Sequence, residues 1–188
     1  MSGGRFEIRT TPLAGLAVIR RLPRSDPRGF FERFFCAAEL APAGWTGPVA
    51  QINRTLTASP GTLRGLHFQH PPHAEKKLVS CLRGEVFDVA VDIRAGSPTF
   101  LHWHAEILSG DNHTSLLIPE GFAHGFQTLT PDVEMLYLHS TPYAPGAEGG
   151  LRPDDPRLAI AWPDPVALLS ERDAGHALID ETFQGVIL

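Results

Sequence analysis

Strand-length runs separated by Gly and Pro punctuation set the frame for this chain. The runs are Gly15–Arg20, Val49–Thr55, Thr62–Gln69, Lys77–Leu82, Glu85–Arg94, Thr99–Leu108, Thr114–Ile118, Gly125–Leu129 and Glu134–Ser140. Between them lie Pro23–Pro27, Ser59-Pro60-Gly61, Pro71-Pro72, Arg83-Gly84 and Gly96-Ser97-Pro98. Short runs at such spacing, with turn chemistry between them, predict an all-β sandwich or barrel. The load of 18 Gly and 17 Pro argues against a helical bundle. Glu85–Arg94 alternates most cleanly, with Phe87, Val89, Val91 and Ile93 on one face and Val86, Asp88, Ala90 and Asp92 on the other. Helix signals are brief: Cys36–Leu40 for one turn or two, and Pro165–Ala174 for a short C-terminal helix. From Pro142 onward the chain is rich in Pro and Gly and is expected to wrap the strands. At 188 residues it is read as a single domain, 1–188, able to bury its own core.

Charge and motif content remove several function classes. A net charge of −5 lacks the basic footprint of nucleic-acid binding. Leu13–Ile19 is far too short to span a membrane and reads as a strand. Cys36 and Cys81, without C-x-x-C spacing, fit a reducing cytoplasm rather than a disulfide framework. There is no G-x-G-x-x-G, no P-loop and no G-x-S-x-G elbow.

Four segments could carry chemistry. Arg64-Gly-Leu-His-Phe-Gln69 places ionisable groups in a half-buried strand, where they need partners or a wet cavity; Arg64 offers a phosphate fork and His67 a base near neutral pH. Lys77, one of only two Lys, starts the next strand and could stabilise an oxyanion. Tyr137 and Tyr143, the only Tyr, could supply a proton donor or could simply pack. His102 and His104 share a strand face, and Pro119–His124 reads P-x-G-x-x-H, the two metal-motif halves of cupins. The acidic ligand expected four or five residues beyond the second His is missing, however, and the pair reads better as two solvent-facing imidazoles on an exposed strand face.

Taken together, these strings resemble the dTDP-4-dehydrorhamnose 3,5-epimerases. The resemblance covers Asp26–Phe31, Gln51–Asn53, Gly61–Gln69, Lys77–Val79, Gly84–Arg94, Ser97–Phe100, Ile118–Phe126, Tyr137, Tyr143–Pro145, Asp155-Pro156, Ile160–Pro163 and Leu169–Asp173, in consistent order along the chain. It implies a cupin-like jelly-roll β-barrel, a homodimer, no metal and no cofactor, and a nucleotide-diphosphate sugar as substrate. By position it implies His67 as catalytic base, Asp173 as its dyad partner, Tyr137 as acid on the opposite face and Lys77 beside the developing enolate. His124 matches a further active-site imidazole. Arg64, Gln51, Asn53, Tyr143, Glu148 and Arg172 match residues that hold the nucleotide diphosphate and position the sugar. Arg28 and Phe31 match a segment lent by the neighbouring subunit. The implied reaction is epimerisation of a nucleotide-linked 4-keto-6-deoxyhexose at C5, C3 or both, in deoxysugar biosynthesis. A 3,4-keto isomerase, a non-catalytic sugar- or nucleotide-binding cupin and a metal-dependent cupin using His102, His104 and His124 are the alternatives. Four positions depart from the family pattern: Arg33 stands where a Glu is common, Pro153 where a Trp is common, Glu75 where a Gln is common, and Arg172 where a Lys is common, keeping the charge but changing the geometry.

Overall fold

The computed structural model describes residues 4–188. The strands, in chain order, are β1 (Phe6–Thr10), β2 (Ala17–Arg21), β3 (Arg24–Asp26), β4 (Gly29–Phe31), β5 (Gln51–Thr57), β6 (Leu63–Gln69), β7 (Lys77–Arg83), β8 (Glu85–Asp92), β9 (Trp103–Ser109), β10 (Thr114–Ile118), β11 (Phe122–Thr128), β12 (Val133–His139) and β13 (Glu148–Gly150). Two single-turn helices, α1 (Ala37–Leu40) and α2 (Glu171–Ala174), complete the regular structure with two short 3-10 turns.

A six-stranded sheet runs β1-β2-β10-β7-β12-β5 and a five-stranded sheet runs β13-β6-β11-β8-β9. Among the described residues every strand ladder within these sheets is antiparallel. The expected barrel is realised as a cupin-like sandwich: among the described residues no strand pairs into both large sheets, and β9 packs across onto β7 and β10. A separate hairpin, β3–β4, stands outside both.

Three apolar layers explain the runs in the sequence. Between the sheets, Val79, Cys81, Leu116, Ile118 and Met135 meet Val86, Ala90, Leu108, Phe122 and Phe126. Outside the five-stranded sheet, Leu66, Phe68, Val89, Val91 and Ala123 lie under Leu151, Leu158, Ile179 and Val186 of the wrapping tail. Outside the six-stranded sheet, Ile19, Leu78, Leu117 and Leu138 are covered by Leu40 and Trp45. Each sheet is therefore buried on both faces, and its central strands read as near-continuous apolar runs. For β8 the more apolar face, Phe87 to Ile93, lies under the tail, while Val86, Asp88 and Ala90 face the interior.

Two expected elements shrink. Thr99–His102 is a turn, tied down by Thr99 and Ser97 hydroxyls donating to Asp92, so β9 begins only at Trp103 and His102 is not on it. The C-terminal helix is confined to Glu171–Ala174. Residues ahead of it run alongside the five-stranded sheet instead: the Leu63 amide donates to Leu168 O at 2.9 Å and the Ala167 amide to Gly61 O at 2.9 Å, bonds that an extended tail can make and a helix cannot.

One irregularity positions the site. On β11, His124 pairs with His67 and Phe126 with Arg64, so the single residue Gly125 opposes both Gly65 and Leu66. This bulge puts Arg64 and His67, an odd number of positions apart, on the same face of β6, which strict alternation forbids. Gly65 has φ +123°, and a Cβ there would sit 2.6 Å from Gly125 Cα and 2.8 Å from His124 O. Gly65→Ala is accordingly expected to lower stability by about 2 kcal/mol or more, through backbone strain plus overpacking, read as a fall in denaturation midpoint at unchanged m-value. A midpoint equal to wild type would mean the bulge is not conformationally demanding.

Candidate active site

The bulge exposes His67 to a cavity between the sheets, of about 540 Å³, within the usual range for a small-molecule site. The tail supplies its partner. Ser170 caps α2 by accepting the Asp173 amide at 3.1 Å, which turns the Asp173 side chain back toward β6. There Asp173 Oδ1 meets His67 Nε2 at 2.8 Å and Oδ2 accepts the Gly65 amide at 3.2 Å. Burial pushes the Asp173 carboxyl up, but the hydrogen bonds from His67 and the Gly65 amide outweigh it and hold the group below the usual carboxylate range. An ionised Asp173 can only accept, so in the neutral ring the hydrogen bond to it comes from a protonated Nε2 and the lone pair is on Nδ1; Arg172, a donor beside that same Nε2, acts on the ring as a positive charge and not as a second hydrogen bond.

Arg172 Nη2 also lies 3.0 Å from His67 Nε2, and Arg172 Nη1 donates to both Glu148 oxygens at 3.0 and 3.2 Å. His67 titrates below the ordinary imidazole value chiefly because it is buried; Asp173 opposes that shift, and the positive charges of Arg172 and Lys77 reinforce it. The ring is thus kept as an uncharged base at neutral pH.

The opposite sheet contributes the remaining groups. Lys77, at the start of β7, donates to His67 O at 3.3 Å and pairs with Glu75 at 3.2 Å. Tyr137 on β12 is raised well above the usual phenol value by burial, and its hydroxyl lies 3.3 Å from Thr55 Oγ1. It is held as a phenol, with a proton to give. On the floor, His124 Nε2 sits 3.0 Å from both oxygens of the wholly buried Asp88, whose carboxyl burial pushes up. Arg64 is steadied by a bond to Thr57 at 3.0 Å.

Eight of the residues singled out from sequence line this one cavity: His67, Asp173, Tyr137, Lys77, Arg64, Asn53, His124 and Arg172. Gln51, Tyr143 and Glu148 form a bonded cluster beside it: Gln51 Oε1 accepts the Tyr143 amide at 3.0 Å, and the Tyr143 hydroxyl donates to Glu148 at 3.0 Å. Arg28 and Phe31 do not line it; they sit on the β3–β4 hairpin, with Phe31 61% exposed and Arg28 paired to Asp26. Of the departures, Arg33 pairs with Glu39, and Glu32, one position earlier, is buried against Arg21. His102, His104 and His124 do not converge: His104 bonds Glu106 at 2.8 Å and His124 faces Asp88. Among the described residues no three His, Cys, Asp or Glu side chains gather as metal ligands would.

His139 lines the cavity and was not expected there. Its signal was available, since it lies two positions beyond Tyr137 on a strand and so shares its face. Asp88 was visible as a carboxylate in an apolar strand, and Thr55 is next but one to Asn53 on β5 by the same period.

Comparison with known proteins identifies the family. The family model for dTDP-4-dehydrorhamnose 3,5-epimerase matches residues 10–181. A dTDP-4-dehydrorhamnose 3,5-epimerase of Sinorhizobium fredii is 41% identical over 90% of this chain and 87% of its own. A dTDP-4-dehydrorhamnose 3-epimerase of Streptomyces niveus is 38% identical over 97% of this chain and 88% of its own. The crystal structure of the dTDP-6-deoxy-D-glucose-3,5-epimerase of Legionella pneumophila in complex with dTDP-4-keto-L-rhamnose superposes with a TM-score of 0.89, at 41% identity, over 97% of this chain and 99% of that one. A family model matched over residues 10–181 and relatives 38–41% identical over at least 90% of the chain place the protein in the dTDP-4-dehydrorhamnose 3,5-epimerase family of isomerases.

Proposed function

We propose that the protein epimerises a nucleotide-diphospho-4-keto-6-deoxyhexose of the dTDP-4-dehydro-6-deoxyglucose type, at C5, C3 or both, by proton transfer between side chains without a cofactor. The observation that carries this reading is the placement of His67 on one sheet, paired to Asp173 of α2, and of Tyr137 with Lys77 on the other sheet, around one cavity. The 4-keto group acidifies the neighbouring C–H bonds. His67 removes the proton from one face, and the C–H electron pair moves into the enolate, leaving negative charge on the C4 oxygen. The Lys77 ammonium stabilises that oxygen. The Tyr137 phenol then delivers a proton to the carbon from the other face, and the centre is inverted. Asp173 fixes the imidazole tautomer and balances the imidazolium, the division of labour seen in hydrolase triads. Arg64 and Arg172 offer guanidinium forks to the diphosphate.

We further infer a homodimer acting in the cytoplasm, in which each copy's hairpin lends Arg28 and Phe31 to its neighbour's cavity. Adjacent Phe30 and Phe31, both 61% exposed, support a covered hairpin tip. Light scattering is expected to give twice the chain mass, and Phe31→Ala to raise KM for the nucleotide sugar several-fold while the rate at saturation holds. A monomer with full activity would exclude this assembly.

The decisive experiment is solvent deuterium incorporation at C3 and C5, followed by NMR across dTDP-, CDP- and GDP-linked 4-keto sugars. Exchange is expected on at least one. His67→Ala should lose it by about 10²-fold or more while still binding nucleotide, the usual weight of a positioned base. Folded protein that exchanges neither carbon of any of them would refute the reading, and product analysis separates epimers from 3-keto isomers.

The pH profile of kcat/KM tests the electrostatics. Its acid limb should lie below the ordinary imidazole value of about 6.5, because His67 is depressed. Arg172→Gln removes a positive charge that disfavours the imidazolium, so its limb should move to higher pH. Movement the other way would show that Arg172 does not set the base.

A further inference from the structure

Glu75 and His139 stand beside the proton-transfer groups with no part in the scheme above. Gln51, His139 and Lys77 are in register across β5, β12 and β7, with His139 opposite both of the others. Glu75 lies two residues ahead of Lys77. Its Oε1 meets Lys77 Nζ at 3.2 Å and its Oε2 meets His139 Nδ1 at 2.6 Å. The Glu75 and Lys77 side chains are 8% and 10% exposed, so water does little to screen the pair. Burial pushes the Glu75 carboxyl up, but the bond from His139 and the charge of Lys77 bring it below its usual value.

The direction of these bonds is fixed from outside. The Tyr143 amide can only donate, so the Gln51 atom it meets at 3.0 Å is the carbonyl oxygen Oε1. Gln51 Nε2 must then donate to Asn53 Oδ1, 3.1 Å away. Asn53 Nδ2 must donate to His139 Nε2, 3.3 Å away. With Nε2 accepting, the His139 proton sits on Nδ1 and points at Glu75. Both Glu75 oxygens therefore face donors. A carboxylate satisfies that arrangement, whereas an amide has one acceptor oxygen and would turn its own N–H toward either His139 or Lys77.

We propose that Glu75 and His139 are positioning residues for Lys77: a hydrogen-bond chain whose polarity is set at the Tyr143 amide holds the His139 proton on Nδ1, and Glu75, anchored by it, aims the Lys77 ammonium at the enolate oxygen. The proposal rests on the epimerase reading above. It ties the cluster beside the cavity mouth to the centre of charge development, so Gln51 and Asn53 act on the reaction through orientation. It also gives a purpose to a carboxylate at a position where the family commonly carries an amide.

The test combines kinetics with a tautomer measurement. Glu75→Gln is expected to lower kcat for deuterium exchange about tenfold to a hundredfold, the scale of misplacing an oxyanion partner, with KM within about twofold of wild type. Glu75→Asp should recover part of that loss. His139→Phe, which keeps an aromatic ring beside Tyr137, should lower kcat in the same direction. In a Lys77→Met background Glu75→Gln should cost nothing further, because its effect passes through the lysine. Nitrogen-15 NMR of histidine-labelled wild type should show His139 protonated on Nδ1. An equal loss in the Lys77→Met background, a loss expressed in KM alone, or a His139 proton on Nε2 would overturn the proposal. Wild type that exchanges no deuterium would defeat the epimerase reading, and the His139 tautomer would then decide the chain by itself.

Discussion

The close approach of two backbones at Gly65 and Gly125 is the constraint on which the site depends. By making one residue of β11 oppose two of β6, it brings Arg64 and His67 to the same side of a strand. It does a second thing as well. A bulge takes a residue out of the ladder and leaves its amide without a strand partner. Here that amide, Gly65 N–H, is donated to Asp173. The irregularity that aims the base thus also supplies a donor that keeps the base's carboxylate ionised. The tail answers with a short capped turn, Ser170 to Asp173, so that one hydroxyl fixes the direction from which the acid arrives.

Around this junction the charges are arranged in opposition. Lys77, Arg64 and Arg172 face the cavity, while Asp173 and Glu75 stand behind His67 and Lys77. The cations favour an anionic ligand and discourage a second positive charge on the imidazole; the carboxylates behind them keep the tautomers in order. Desolvation depresses His67 and raises Tyr137. The same burial thus keeps both rings uncharged, the imidazole by lowering it and the phenol by raising it.

Much of this was legible before the structure. The strand runs were readable because central strands are apolar and bounded by turn chemistry, and the alternation of β8 was plain. Which of its faces looks inward was not, since both are buried and the more apolar one is covered by the tail rather than the other sheet. Strands β1, β3 and β4 escaped because they are mostly exposed, and β13 because it is three half-buried residues, all defined by their pairing and not by pattern. Arg64-Gly-Leu-His67 reads as ordinary strand, so the bulge that makes it a site is invisible in the letters. His67 and Asp173 are 106 positions apart, and only the family resemblance joined them. Within one strand, the face shared by Tyr137 and His139 was there to be read.

The dyad joins β6 to α2, the last regular element of the chain, and this has a consequence for how activity emerges in time. The strands that build both large sheets precede residue 151, whereas Asp173 follows after a long irregular stretch. Until the tail docks, the five-stranded sheet lacks both its outer apolar cover and the carboxylate partner of His67. Appearance of activity is then a clock for tail docking, distinct from the appearance of β structure.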